Sequence, residues 1–284
     1  MLSCFIEMFL GNEVYGLDQR AIGVFDSGLG GLTAVRHLQN LLPCENIIYF
    51  GDTGRVPYGT RSRDTIRRYT EEDCRLLLER DVKFIIAACG TVSSVAPDLL
   101  EALPVPAIGV VSPTAQAAVA ATKNKRIGIL GTAATIRSAS FENALLRMDP
   151  NIQVTATPCP LFVPLVESGW IAQDDDVALP MVRRYLSAVK NAGVDTLILG
   201  CTHFPLLAPI IQAELGDEVT LIDSGLETAA LCANLLREQD ALAEREYGST
   251  QFYVSDQPEG FSRVAEIFLG KSVREKVEMI RPDC

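Results

Sequence analysis

A chain of 284 residues is long for a single hydrophobic core and suits two domains of ordinary size. With 48% hydrophobic and 21% charged residues, the composition is globular and excludes a disordered chain. The net charge of −11 and pI near 4.8 argue against a nucleic-acid partner: phosphate neutralisation needs clustered Lys and Arg, and the densest basic run, 55–68, is soon followed by Glu71, Glu72 and Asp73.

Residues 1–20 read as an N-terminal extension ahead of the fold. They are fairly apolar at the start, but they lack a basic leader, carry Glu7 and show no small-residue cleavage site, so no signal peptide is expected. Met8 offers an alternative start. No apolar run reaches the length that spans a bilayer, so no membrane partner is expected.

From residue 21 onward, short apolar runs alternate with segments of helical period. Strands are predicted at 21–25, 46–50, 83–88, 106–110, 126–131, 153–156, 196–200 and 219–222. Several are continuously apolar, as strands buried on both faces must be. In 62–80, Ile66, Thr70, Cys74 and Leu77 recur at helical spacing; in 176–191, Val182, Leu186 and Val189 do the same. The second helix has Asp174, Asp175 and Asp176 at its start, Lys190 in its last turn and Gly193 just beyond, as the helix dipole and C-cap favour. The alternation predicts an α/β fold of parallel sheets with crossover helices.

A faint internal echo accompanies it. The strand that leads to Cys89 resembles the one that leads to Cys201, and Val24-Phe-Asp26-Ser27-Gly28 resembles Leu221-Ile-Asp223-Ser224-Gly225. Two related halves would each carry one cysteine to the carboxyl end of a strand, where open α/β sheets bind their ligands.

The turn Asp26-Ser27-Gly28-Leu29-Gly30-Gly31 follows a strand and opens a helix, so its N–H groups suit an anion. A dinucleotide fingerprint would need glycine where Thr33 stands, and no phosphate-binding P-loop pattern exists. A plain glycine turn remains open. The stretches 51–59 and 131–135 are polar turns after strands. Each could line the same cleft or be turn chemistry only.

Eight cysteines are scattered through the chain with no CxxC pair, which disfavours a zinc ribbon, a thioredoxin motif or a disulfide scaffold and points to reduced thiols in a cytosolic enzyme. A lone cysteine is more often a buried small hydrophobe. Cys89 and Cys201 differ, because both follow strands and precede helical segments, where a helix N-terminus lowers a thiol pKa. His37 reads as a mid-helix residue at the surface or satisfied in the core. His203, two positions past a cysteine, is the better functional candidate. A zinc site from Cys89, Cys201 and His203 lacks an evident fourth ligand.

Taken together, FDSGLGG at 25–31, VPYG at 56–59, AACGT at 87–91, GTAAT at 131–135, PLVESG at 164–169, LGCTHFPLL at 199–207 and IDSG at 222–225 resemble the glutamate racemases of the aspartate/glutamate racemase superfamily. They occur in that family's order and cover roughly residues 21–240. The resemblance implies two similar domains with the active site in the cleft between them: 21–112 with 224–284, and 113–223. It implies Cys89 and Cys201 as opposed acid/bases, Asp26 and His203 as their assistants, and Glu167 as a further cleft acid. Ser27, Tyr58, Gly59, Thr91, Thr202 and His203 look like substrate contacts, joined by Asp26, Thr132 and Thr135. Members use no cofactor and no metal, commonly dimerise, and supply D-glutamate for peptidoglycan and the cell wall. Glutamate, a homodimer and a cytoplasmic location are therefore implied.

One departure is visible: the family has Asn after the first cysteine, where this chain has Gly90, which offers only its backbone N–H. Loss of the side-chain amide would cost about 1 kcal/mol or more in a buried site.

The chemistry needs one thiolate and one thiol on opposite faces of the same carbon. An unperturbed thiol, with pKa about 8.5, is only roughly 3% ionised at pH 7. General base action alone is worth about 10²–10⁴-fold, so N–H groups and hydroxyls around the α-carboxylate must stabilise the developing carbanion. Rival readings are an aspartate racemase, a decarboxylase relative, a non-catalytic amino-acid-binding protein and a thiol redox protein. The two retained cysteines weigh against the decarboxylase, the histidine of LGCTHFPLL against the aspartate racemase and the missing CxxC against the redox protein, while Gly90 keeps the non-catalytic binding reading open.

Overall fold

The structure is a computed structural model that describes residues 17–273 and 277–282. Most of the 1–20 extension, including Cys4, lies outside the described residues, as does Cys284. One sheet contains β1 (Ala21–Asp26), β2 (Ile47–Gly51), β3 (Val82–Ala87), β4 (Ala107–Gly109), β9 (Thr250–Val254) and β10 (Val277–Met279), in the order β10-β9-β2-β1-β3-β4. The other contains β5 (Arg126–Gly131), β6 (Gln153–Pro158), β7 (Thr196–Leu199) and β8 (Thr220–Asp223), in the order β6-β5-β7-β8. All neighbouring strands run parallel. β1, β3 and β7 are buried at every position, which is why they read as unbroken apolar runs.

The helices are α1 (Leu32–Leu41), α2 (Arg63–Leu78), α3 (Gly90–Val95), α4 (Pro97–Glu101), α5 (Val111–Ala121), α6 (Ala133–Ser138), α7 (Ser140–Met148), α8 (Phe162–Glu167), α9 (Ala178–Ala192), α10 (Ala208–Leu215), α11 (Ser224–Glu238) and α12 (Pro258–Leu269). Ser62 caps α2 by accepting from the Thr65 N–H at 3.2 Å. Gly193 ends α9 in the left-handed conformation, φ +61°, which relieves the last turn at no Cβ cost. The three aspartates stand before α9 and not in its first turn; Asp175 accepts from the N–H groups of Val177 and Ala178 at 2.9 and 2.8 Å. No described helix is long and apolar enough to cross a membrane.

The chain leaves the first sheet through α5 and returns from the second through α11. One apolar cluster runs across both halves. It takes Ile22, Val24 and Tyr49 from the first sheet and Leu130, Leu197 and Leu199 from the second, with residues of α1, α9, α11 and α12.

The strand orders β2-β1-β3-β4 and β6-β5-β7-β8 are the same path repeated. β3 and β7, the two strands that lead to cysteines, are equivalent in it, so that half of the sequence echo is structural. The other half is not. Asp26 ends β1, whose counterpart is β5, whereas Asp223 ends the edge strand β8, whose counterpart is β4. The likeness of FDSG to IDSG reflects the same turn chemistry: each aspartate accepts from the N–H two residues on, at 2.9 and 2.8 Å.

A buried ion pair ties the first half together. Lys83 Nζ lies 2.8 Å from Glu45 Oε2, and donates to the Asp18 and Ala241 carbonyls at 2.7 and 2.8 Å. Both side chains are sealed from water, so Lys83→Met, which leaves Glu45 charged and unpaired, is expected to cost about 3–5 kcal/mol, read as a drop in the denaturant midpoint. A loss under about 1 kcal/mol would contradict it.

Candidate active site

The candidate side chains gather at or beyond the carboxyl ends of the strands. Asp26 is the last residue of β1, Cys89 lies two past β3, Thr132 follows β5, and Cys201 lies two past β7.

On the first sheet's side, Cys89 stands at the N-terminus of α3 and its thiol donates to Ser27 Oγ at 3.4 Å. Asp26 is buried beside it, accepting the Gly28 N–H at 2.9 Å. Burial raises the Asp26 carboxyl above its usual range against the opposing pull of His203. Burial also pushes the Cys89 thiol up to about 12, reinforced by Asp26 and opposed by hydrogen bonds from Ser27 and Val92. The expectation that the helix N-terminus would lower this pKa is thus corrected. The cysteine is 4% exposed, and one short helix end does not repay the removal of thiolate hydration.

On the second side, Cys201 Sγ lies 3.9 Å from His203 Nδ1, and His203 Nε2 lies 2.9 Å from Glu167 Oε1 at the end of α8. Burial alone would lower the His203 pKa. Hydrogen bonds to Cys201 and Glu167 outweigh it, and the imidazole is lifted to about 10. The ring packs edge-on against Phe268 of α12, with centroids 5.3 Å apart. Phe268 carried no mark in the sequence, because an aromatic at helical spacing reads as core.

The two sides meet closely. A Cβ on Gly30 would collide with the Thr202 hydroxyl and the His203 ring, so only glycine lets the first turn lie against the second cysteine's segment. A Cβ on Gly90 would lie 2.9 Å from the Gly200 carbonyl oxygen and 3.4 Å from Thr135 Oγ1. The turn that carries Cys89 therefore touches the backbone next to Cys201. Gly90 is more than a missing amide, since its bareness sets how near the two cysteine turns come. Gly90→Asn is expected to lower kcat/KM by about tenfold or more, because overpacking against backbone costs about 1–3 kcal/mol. Steady-state kinetics that match or exceed wild type would refute this.

Thr91 is buried in α3; Thr132 caps α6 and lies 3.0 Å from the buried Thr135 hydroxyl; Thr202 is buried beside Cys201. A Cβ built on Gly59 would be 3.8 Å from Thr132 Oγ1 and 3.9 Å from Thr91 Oγ1, so this glycine faces the same group. The Tyr58 side chain does not. Its hydroxyl contacts Asp52 and lies 2.9 Å from Asp73 Oδ2, and only 1% of the residue is exposed, so any substrate contact at this position is left to the backbone. Asp52, Arg55 and Asp73 were missed as partners because Asp73 sits inside a helix beside exposed Glu71 and partly exposed Glu72, where an acid reads as part of a solvated face. His37 is placed elsewhere, its Nε2 3.0 Å from Asp223 Oδ2.

The chain matches the family described as Asp/Glu/Hydantoin racemase over residues 33–232. It is 47% identical to the glutamate racemase of Geobacter metallireducens over 253 residues, covering 88% of this chain and 93% of that one. Among solved structures it resembles a glutamate racemase isoform of Bacillus anthracis, with TM-score 0.88, 36% identity and coverage of 93% and 98%. It also resembles the Francisella tularensis glutamate racemase solved in complex with D-glutamate, with TM-score 0.86, 37% identity and coverage of 94% and 99%. The repeated parallel sheets, the cysteine at the same strand end in each and these relatives lead to one statement: the chain belongs to the Asp/Glu/Hydantoin racemase family, alongside the glutamate racemases.

Proposed function

We propose that this amino-acid racemase interconverts L- and D-glutamate by transferring protons at Cα between two cysteines, without a cofactor. The observation that carries the reading is the pair of unlike environments at equivalent strand ends. Cys201 lies next to a histidine backed by Glu167, and Cys89 lies next to a buried Asp26. An imidazole whose pKa is raised to about 10 stands beside one sulfur, while burial beside a carboxylate keeps the other sulfur protonated. The two sulfurs thus stand in unlike settings, which suits a mechanism that needs one base and one acid.

In this mechanism Cys201 removes the α-proton of L-glutamate and Cys89 returns one from the opposite face to give D-glutamate; the reverse reaction exchanges the roles. Asp26 and His203 assist the adjacent sulfurs, and Glu167 holds His203. Ser27, Gly59, Gly90, Thr91, Thr132, Thr135 and Thr202, with the backbone of Tyr58, surround the substrate. Their N–H groups and hydroxyls would bear the charge that develops towards the α-carboxylate. The D-glutamate held by the Francisella relative supports the choice of amino acid. We read residues 21–112 with 224–284 as one domain and 113–223 as the other, closing over the substrate and excluding water. Supply of D-glutamate for peptidoglycan, a homodimer and a cytoplasmic location complete the reading, all by resemblance.

The test is chiral chromatography of L-glutamate, and separately of L-aspartate, after incubation with purified protein and no added cofactor. Racemised glutamate with aspartate unchanged is expected. Racemised aspartate with glutamate unchanged, or neither racemised, would overturn the proposal.

A further inference from the structure

Behind the 52–60 turn lies a polar cluster that the proton transfer does not use. Asp52 and Asp73 are fully buried, and both contact the Tyr58 hydroxyl, which lies 2.9 Å from Asp73 Oδ2 and closer still to Asp52 Oδ2. Arg55 donates Nε to Asp52 Oδ2 at 2.5 Å, Nη2 to Asp73 Oδ1 at 2.9 Å, and Nη1 to Glu72. Ser255 Oγ donates to Asp52 Oδ1 at 2.7 Å.

Counting hydrogens exposes a shortfall. A tyrosine hydroxyl has one hydrogen, and ionised carboxylates only accept. Two ionised aspartates would leave one of the two contacts at Tyr58 without a proton, oxygen facing oxygen. Among the described residues, Asp52 already receives Ser255, Arg55 and Tyr58, whereas Asp73 receives only Arg55 besides its contact with Tyr58. We propose that Asp73 is a neutral carboxylic acid that donates to the Tyr58 oxygen while Tyr58 donates to ionised Asp52, and that this relay positions the Tyr58–Gly59 turn at the substrate. With Asp73 neutral, the Arg55 guanidinium faces two carboxylates, fully buried Asp52 and partly exposed Glu72, instead of three. Burial, followed by the proximity of Asp52, raises the Asp73 carboxyl well above the usual range, in the same direction.

The relay reaches the site through the next residue. Gly59 faces Thr132 and Thr91, and its carbonyl accepts from Arg137 Nη2 at 3.4 Å. Asp73 is thus a positioning residue, and its role rests on reading this cleft as the glutamate site.

Asparagine imitates a protonated aspartate, so the two acids should respond oppositely to the same change. Asp73→Asn is expected to keep KM for glutamate within about threefold, while Asp52→Asn raises it by about tenfold or more with a smaller change in kcat. The infrared spectrum of the wild-type protein at neutral pH should contain a protonated-carboxyl C=O band that Asp73→Asn lacks. Equal KM increases in the two variants, or no band lost in Asp73→Asn, would overturn the proposal. A wild-type protein that racemises nothing would instead strike the reading beneath it, while the infrared band still decides the shared proton.

Discussion

Replacing either Cys89 or Cys201 by alanine is expected to lower racemisation by about 10³-fold or more in both directions, since removing one of two acid/bases forfeits the proton on that face. Each variant keeps a sulfur on one side only. In deuterium oxide, Cys89→Ala retains the thiol on the face we assign to L-glutamate, so slow exchange of the L-enantiomer's α-proton without inversion is the most it should support. Cys201→Ala should do the same for D-glutamate only. Proton NMR of the α-hydrogen, run beside chiral chromatography, separates exchange from inversion. Serine at either position should do little better, because its hydroxyl is a far weaker acid than a thiol. Inversion at the wild-type rate by either alanine variant would eliminate the two-sulfur mechanism.

His203→Asn is expected to lower kcat/KM by about 10²-fold, because it removes the cation beside Cys201 while approximating the ring's size. The pH dependence follows from the direction of the shift. The imidazole is raised to about 10 in the folded protein, above its ordinary value of about 6.5. The folded state therefore binds this proton more tightly than the unfolded one does. The stabilisation is fully present below about 6.5, declines as pH rises, and is gone above about 10. Denaturant midpoints measured across that window should fall in the wild type, and His203→Asn should remove that part of the slope. Glu167→Gln should weaken the effect without abolishing it, since Cys201 still faces the ring and Glu167 is partly open to solvent. A pH profile identical in wild type and His203→Asn would show that this proton is not held as described.

Much of the fold was legible because parallel strands announce themselves. The eight runs predicted between 21 and 222 all form strands, with ends displaced by at most a residue or two. β9 and β10 were missed for a physical reason. Thr250–Val254 has partly exposed positions and mixes polar with aromatic residues, and Val277–Met279 is a short edge strand with open faces, so neither presents an unbroken apolar run. The place of β9 beside β2 depends on residues some two hundred positions away, which no local pattern contains, and β10 is added in turn to β9.

Among the site residues, Cys89 and Cys201 stood out by themselves, because a cysteine at the end of a buried strand is directed towards a cleft by the sheet's own geometry. The roles of Asp26, Glu167 and His203 came by resemblance, and the structure supplies their contacts. The direction of the Tyr58 hydroxyl, the partnership of Asp52 with Asp73 and the rise of the Cys89 thiol had no sequence signal. Each is set by what excludes water from the group and by which distant side chain shares its protons.

What the amino-acid order determined alone was periodic and local: strand after helix, a turn with bare N–H groups, a sulfur at a strand's end. Tertiary packing decided which strand ends face one another, that Gly90 rests on the Gly200 carbonyl, and which acids keep their protons. The division has a physical cause. Apolar periodicity acts through nearest neighbours along the chain, whereas hydration and charge act through space, and only the folded molecule sets those distances.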